Sequence, residues 1–315
     1  MSKPTILVSE VGLRDGLQSV PSTVPTAVKM AWIQAEVVAG VREIEVGSFV
    51  PAKLLPQLAD TPELVRTARK ISGLTVAALV PNLQGACAAV DAGAHKITLP
   101  FSVSETHNMR NLRRNHAQMI AEVTAISELL ASLPADKRPH FEVSLSTAFG
   151  CTIEGAMPQD RVARFSEQLM RAGCGELGLA DTSGYADPAA VRRMVRLLHR
   201  AVGDEAVKGI HLHNTRGLGL ANALAAFDEG ITTFDSSLAG LGGCPFAPGA
   251  SGNVVTEDLC FMFESMGVET GIDLEALFQI RSILSDVLPE EPLYGFAAHA
   301  GLPLGFLLHQ PMVQT

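Results

Sequence analysis

The chain has 315 residues, 47% of them hydrophobic, and carries 33 acidic against 24 basic side chains for a formal net charge of −9. That length suits one large core or two domains, and an acidic balance without a basic tract speaks against nucleic acid as a partner. No run of 18 apolar residues marks a membrane span, five scattered cysteines without a CxxC pair argue against a disulfide framework, and a strand starting almost at the N-terminus leaves no room for a signal peptide, so a cytoplasmic protein is expected.

Apolar, β-branched runs at 6–12, 43–48, 75–81, 96–100, 140–147, 176–181, 209–214 and 232–239 read as strands. Helical patterns lie between them near 26–39, 62–71, 82–92, 113–133, 158–172, 188–202 and 217–229, with an eighth at about 254–267. Strands joined by crossover helices form a parallel sheet. Eight such units predict a closed α/β architecture, a (β/α)8 TIM barrel over residues 1–270, ahead of an open doubly wound sheet. Residues 271–315 are left over. Leu274, Leu277, Ile280 and Ile283 give 273–288 a helical period. The remainder, rich in Gly, Pro and apolar residues, reads as a C-terminal helical extension packed on the barrel or on a partner subunit. Its apolar stretch 302–308 points to a homo-oligomer contact.

In such a barrel the active site lies at the C-terminal ends of the strands, so the polar residues there are the candidates. Side chains alternate along a strand, so His211 and His213 of the seventh strand share a face and can hold one divalent ion. Two hydrogen-bonded core histidines are the plain alternative. Asp15 follows the first strand, which neighbours the eighth once the barrel closes; it adds a carboxylate or simply makes an Asp-Gly turn. Asn253 offers an amide oxygen after strand eight. Oxygen and imidazole donors without a thiolate suit Mg2+ or Mn2+ better than Zn2+. Glu45 sits inside an apolar strand and needs a partner, either Arg14 or metal-bound water. Asp181 ends strand six, where it orients a ligand or makes an Asx turn. Arg216 follows strand seven with a charge suited to a substrate carboxylate. Residues 240–253 hold five glycines, two prolines and Cys244, a composition that predicts a loop bringing one thiol to the site.

Together, Arg14-Asp15-Gly16, the His211–His213 pair and the Gly-Gly-Cys-Pro…Gly-Ala-Ser-Gly-Asn loop resemble the 3-hydroxy-3-methylglutaryl-CoA lyase family, over roughly residues 5–270. The first two elements are shared with isopropylmalate and homocitrate synthases; the cysteine loop is particular to the lyases. The resemblance implies a metallolyase in which Asp15, His211, His213 and Asn253 hold the divalent metal. It places Arg14 at the reacting carbonyl, makes Cys244 the catalytic thiol, and gives Glu45, Gln18, Asn111 and Asp181 supporting places. It implies an acyl-CoA substrate, 3-hydroxy-3-methylglutaryl-CoA or a 3-alkyl or citramalyl homologue, cleaved into acetyl-CoA and an oxo acid. In that chemistry Arg14 stabilises the thioester oxygen, Cys244 protonates the departing enolate carbon, and His211 or His213 shuttles the hydroxyl proton. Arg110, Arg113 and Arg114 after strand four would meet the CoA phosphates or form a solvated helix face.

Four departures leave the acyl group open. Residues 19–23 lack the lysine often found there, Asn214-Thr-Arg-Gly217 replaces a more usual Asp-Thr-Tyr-Gly, Glu142 stands where a basic residue is common, and Thr147 replaces a cysteine. The alternative is a Claisen-type synthase joining acyl-CoA to a 2-oxo acid on the same barrel, and the cysteine loop counts against it.

Overall fold

The computed structural model describes residues 5–242 and 252–306. Eight parallel strands close into a barrel: β1 Leu7–Glu10, β2 Glu43–Ser48, β3 Thr75–Leu79, β4 Lys96–Ser102, β5 His140–Ser146, β6 Glu176–Asp181, β7 Gly209–Leu212 and β8 Thr233–Ser236. Closure comes from β1 pairing with both β2 and β8, Ser9 opposite Glu43 and Asp235. Helices α1 Thr26–Val38, α2 Thr61–Ala68, α3 Leu83–Ala92, α4 Glu105–Leu112, α5 His116–Ala131, α6 Gln159–Arg171, α7 Pro188–Val202, α8 Gly219–Asp228 and α9 Thr256–Ser265 form the outer ring. A two-stranded hairpin, Gly150–Cys151 with Gly155–Ala156, follows β5.

The core lies between strands and helices, where outward strand residues such as Ile44, Val76, Ile97, Val143 and Leu177 are fully buried. Inward positions are largely polar or small, among them Ser9, Glu43, Glu45, Ala77, Lys96, Thr98, Glu142 and Ser144, and they line a cavity. Small and charged groups fill the barrel axis poorly, and that is what leaves room for a ligand.

Three predicted boundaries move for local reasons. The first strand stops at Glu10, because Gly12–Gly16 winds into a π-turn whose Asp15 and Gly16 N–H groups donate to the Val11 carbonyl. The helix expected over 113–133 is α5, which starts only at His116, and a separate helix, α4, precedes it. Arg113 takes a left-handed backbone, φ 55°, and Asn115 starts α5 with a capping box to Gln118. The seventh strand ends at Leu212, so His213 lies beyond it, in an isolated antiparallel bridge with Asn253.

Glu10 ties the end of β1 to the end of β8. Its carboxylate accepts the N–H of Gly12 at 2.8 Å and of Leu238 at 2.9 Å, and the Thr256 hydroxyl at 2.6 Å. Burial pushes its pKa up to about 7 against those hydrogen bonds, with the Glu257 charge adding to the rise. A carboxyl whose folded pKa lies above its unfolded value of 4.5 binds its proton more tightly when folded, so its contribution is greatest below pH 4.5 and is lost as pH rises to about 7. Chemical unfolding of the wild type at pH 5 and pH 8 is expected to show a loss of up to about 3 kcal/mol from this group. Glu10→Gln, which keeps the shape and stays neutral, should flatten that slope; an unchanged slope would assign the pH dependence elsewhere.

Beyond the barrel, α10 Leu274–Val287 is capped by Asp273, whose side chain accepts from the Ala276 N–H at 3.1 Å, while the Asp273 N–H donates to Ala39 at the end of α1. A short helix, α11 Phe296–Ala300, follows. Among the described residues no helix is long and apolar enough to cross a membrane.

Candidate metal and active site

The cavity opens at the C-terminal ends of the strands and measures about 910 Å3. The π-turn after β1 delivers two consecutive charged side chains to it. Arg14 donates from Nε to the Glu45 carboxylate and from Nη1 to Asp15. Glu45 arrives from β2 on the same inward face as Glu43, two residues away. Gln18, one turn on, donates from Nε2 to Asp15 Oδ1 at 3.4 Å and also lines the cavity.

His211 and His213 meet Asp15 from the other side of the closure. Their Nε2 atoms are 3.1 Å apart, and His213 Nε2 is 3.8 Å from Asp15 Oδ2. Ligand atoms of the three residues all lie within 4.8 Å of one another. The bridge between residues 213 and 253 carries Asn253 into the group: Asn214 N–H donates to Gly252 and Val254 N–H to Leu212. The Asn253 amide donates to Asp15 Oδ2 at 2.9 Å and to the Leu241 carbonyl at 3.2 Å. Both partners are acceptors, so the amide orientation is forced and its buried Oδ1 is left without a hydrogen bond.

Charge sorts these groups. Burial alone would raise the Asp15 pKa, but Arg14 and then the two histidines hold it well below the usual carboxylate range. For Glu45 burial outweighs Arg14, and the pKa is raised. Burial would lower His211; the hydrogen bond to Asp235 with the Asp15 charge outweighs that, and the net direction is up. Burial and then the neighbouring His211 push His213 down to about 4, which leaves it neutral at pH 7. An anionic oxygen, a neutral imidazole, a second imidazole and an orphaned amide oxygen form a donor set that a hard divalent cation fits.

Two features escaped the sequence reading. Asp235 on β8 stands opposite His211 in register and accepts from its Nδ1 at 3.1 Å, which turns Nε2 inward. The sequence signal was an inward Asp on the strand beside the HxH pair. The second is the cavity floor, where Lys96 reaches Glu43 at 3.0 Å and Glu142 at 2.8 Å.

Other predicted residues fall in different places. Asn111 lines the cavity, as do Arg113 and Arg114, whereas Arg110 is exposed on α4 outside it. Asp181 and Arg216 do not line it. Asp181 accepts the N–H of Tyr185 at 2.8 Å and of Ala186 at 3.0 Å, four and five residues on, and so closes the loop after β6 without the two-residue span of an Asx turn. Arg216 donates to the carbonyls of Ser183 and Gly184 at 3.1 and 2.7 Å and lies over the Tyr185 ring. With its charge spent on that loop, it does not present itself to a substrate carboxylate in the cavity. Cys244 lies outside the described residues.

The profile of the HMGL-like family matches residues 5–284. The chain belongs to that family. Hydroxymethylglutaryl-CoA lyase YngG of Bacillus subtilis is 39% identical over 92% of this chain and 97% of its own length. The (R)-citramalyl-CoA lyase of Chloroflexus aurantiacus is 38% identical over 94% and 95%. The fold matches that of an HMG-CoA lyase from Acinetobacter baumannii, solved in complex with coenzyme A and 3-methylmalate, with a TM-score of 0.87, 41% identity and coverage of 94% and 95%. As an HMGL-like protein the chain is a carbon–carbon lyase, and lyases of this family depend on a divalent metal.

Proposed function

We propose that the protein cleaves 3-hydroxy-3-methylglutaryl-CoA or a close 3-hydroxy-3-alkyl homologue, citramalyl-CoA included, into acetyl-CoA and an oxo acid. The observation that carries this reading is the convergence of Asp15, His211 and His213 beside Arg14 in one cavity at the strand ends. These three residues with Asn253 would hold the ion, Mg2+ or Mn2+ by the hardness of the donors. When bound, it supplies Lewis acidity toward the substrate's hydroxyl and carbonyl oxygens.

In the reaction the hydroxyl loses its proton, the bond between its carbon and the thioester's α-carbon breaks, and the electron pair passes to the thioester as an enolate, which takes up a proton to become acetyl-CoA. Arg14 stabilises the oxygen on which that charge develops, a placement worth several kcal/mol in a water-poor site. Glu45 and Asp15 hold the guanidinium there, and Asp235 holds His211 by Nδ1 so that Nε2 faces the site. Cys244 is assigned the proton donated to carbon, by its place in the lyase-type loop. A reduced, cytoplasmic setting suits a thiol in that role, and among the described residues Cys87, Cys151, Cys174 and Cys260 are free. Gln18 and Asn111 line the acyl cavity as contacts for the substrate.

The test is a metal-loaded incubation with 3-hydroxy-3-methylglutaryl-CoA and citramalyl-CoA, with products read by mass. Acetyl-CoA with acetoacetate or pyruvate, lost on chelation, is the expected result. Release of free CoA from acetyl-CoA and a 2-oxo acid, with no cleavage of either ester, would make the protein a synthase.

A further inference from the structure

After α10 the chain turns back across the face that carries the cavity, and Glu291, Pro292 and Tyr294 line it beside Gly240 and Leu241. This segment is wired down. The Tyr294 N–H donates to the Ala239 carbonyl at 2.8 Å, and Arg281 Nη1 donates to the Tyr294 carbonyl at 2.7 Å and to Glu257 at 2.5 Å. Glu257 in turn accepts the Ala239 N–H at 3.0 Å, so one network holds both residue 239, in the turn that follows β8, and residue 294. Two residues on, the N–H groups of Phe296 and Ala297 end on the Asp258 carboxylate at 3.0 and 2.7 Å. Gly295 makes the bend with φ 124°, where a Cβ would stand 3.1 Å from Val255 and 3.2 Å from Arg281.

A backbone so fixed leaves Tyr294 42% exposed on the cavity wall. An aromatic ring on an anchored backbone offers broad contact at low entropic cost. Other walls of the same cavity are apolar too: Val50, Pro51, Leu54 and Leu55 follow β2, and Leu54 is 62% exposed. Asp15 and His213 of the charged triad are buried at the strand ends, while Leu54 and Tyr294 are exposed, so the triad lies deeper than these walls. A thioester whose reacting carbons reach the triad must pass its carrier out through this mouth, and the carrier's first stretch, the pantetheine arm, is a chain of methylenes, amides and a dimethyl group.

We infer that Tyr294 is a binding residue for the acyl-CoA, its ring packing along the pantetheine arm as it leaves the cavity. The C-terminal segment is thereby a wall of the site. This inference rests on the acyl-CoA lyase reading above.

Steady-state kinetics test it with two forms of one substrate, the CoA ester and the N-acetylcysteamine thioester of the same acid, which lacks most of the arm. Tyr294→Ala should raise KM for the CoA ester about tenfold with kcat within about twofold, and raise KM for the short thioester less than about twofold. Tyr294→Phe, which keeps the ring, should restore the wild-type KM. An equal rise on both thioesters, or a fall in kcat of the same size on both, would overturn the assignment. If the wild type cleaves neither thioester, the lyase reading fails, and calorimetry with coenzyme A itself decides the contact. An affinity about tenfold weaker in Tyr294→Ala supports it, and equal affinities overturn it.

Discussion

Asp15→Ala is expected to lower kcat by about a thousandfold or more, because it removes the one carboxylate among the metal donors, and a bound divalent ion contributes several kcal/mol to the transition state at about 1.4 kcal/mol per factor of ten. The loss should be catalytic before it is structural. Arg14 bonds Asp15 and Glu45 together, so the variant still leaves the buried guanidinium with a carboxylate partner. Metal-dependent melting separates the two effects. An ion that binds only the folded state stabilises it by about 2.7 kcal/mol at a hundred times its dissociation constant. Added Mn2+ should therefore raise the melting temperature of the wild type and leave that of Asp15→Ala nearly unmoved. A variant that is inactive yet shifts with metal as the wild type does would make Asp15 a partner of Arg14 and not a ligand.

That the decisive residues could be picked from sequence follows from the fold. A parallel barrel puts the end of every strand at one mouth, so residues 200 positions apart in the chain need only the right strand and the right phase. His211 and Asp15 satisfied that rule, and β1 pairing with β8 brought them together. What was hidden depended on where hydrogen bonds end. His213 was read on the strand, but it lies past it, and its bridge to Asn253 is what carries the amide into the site. Arg216 and Asp181 are charged residues at the correct strand ends, and both charges are consumed locally by main-chain groups of one loop. Charge and phase cannot distinguish a side chain that faces a cavity from one that closes a turn beside it. Where the C-terminal segment docks was hidden for another reason: among its contacts, the Tyr294–Ala239 main-chain bond, the Arg281–Glu257 pair and the Asp258 cap leave no periodic trace.

Lys96→Met is expected to cost about 3–5 kcal/mol at pH 8, the usual penalty for breaking a buried ion pair from one side. Lys96 alone bridges Glu43 and Glu142, both nearly inaccessible, and Asp235 adds a third negative charge nearby. For a domain whose net stability is commonly about 5–15 kcal/mol that is a large fraction. The pH dependence identifies the cause. Burial already pushes Glu142 up to about 7 in spite of Lys96, and removing the ammonium raises it further. A carboxyl with a raised folded pKa is held best when protonated, so its penalty is absent below the unfolded value near 4.5 and grows as pH rises through the folded pKa. Lys96→Met should therefore lie much closer to the wild type in urea unfolding at pH 5 than at pH 8. A loss equal at both pH values would point to a packing defect at the barrel floor and not to stranded charge. Adding Glu142→Gln to the variant offers the complementary check. With one carboxylate neutralised, much of the pH 8 loss should be recovered, because what Lys96 does at the floor of the cavity is to offset the burial of two neighbouring carboxylates.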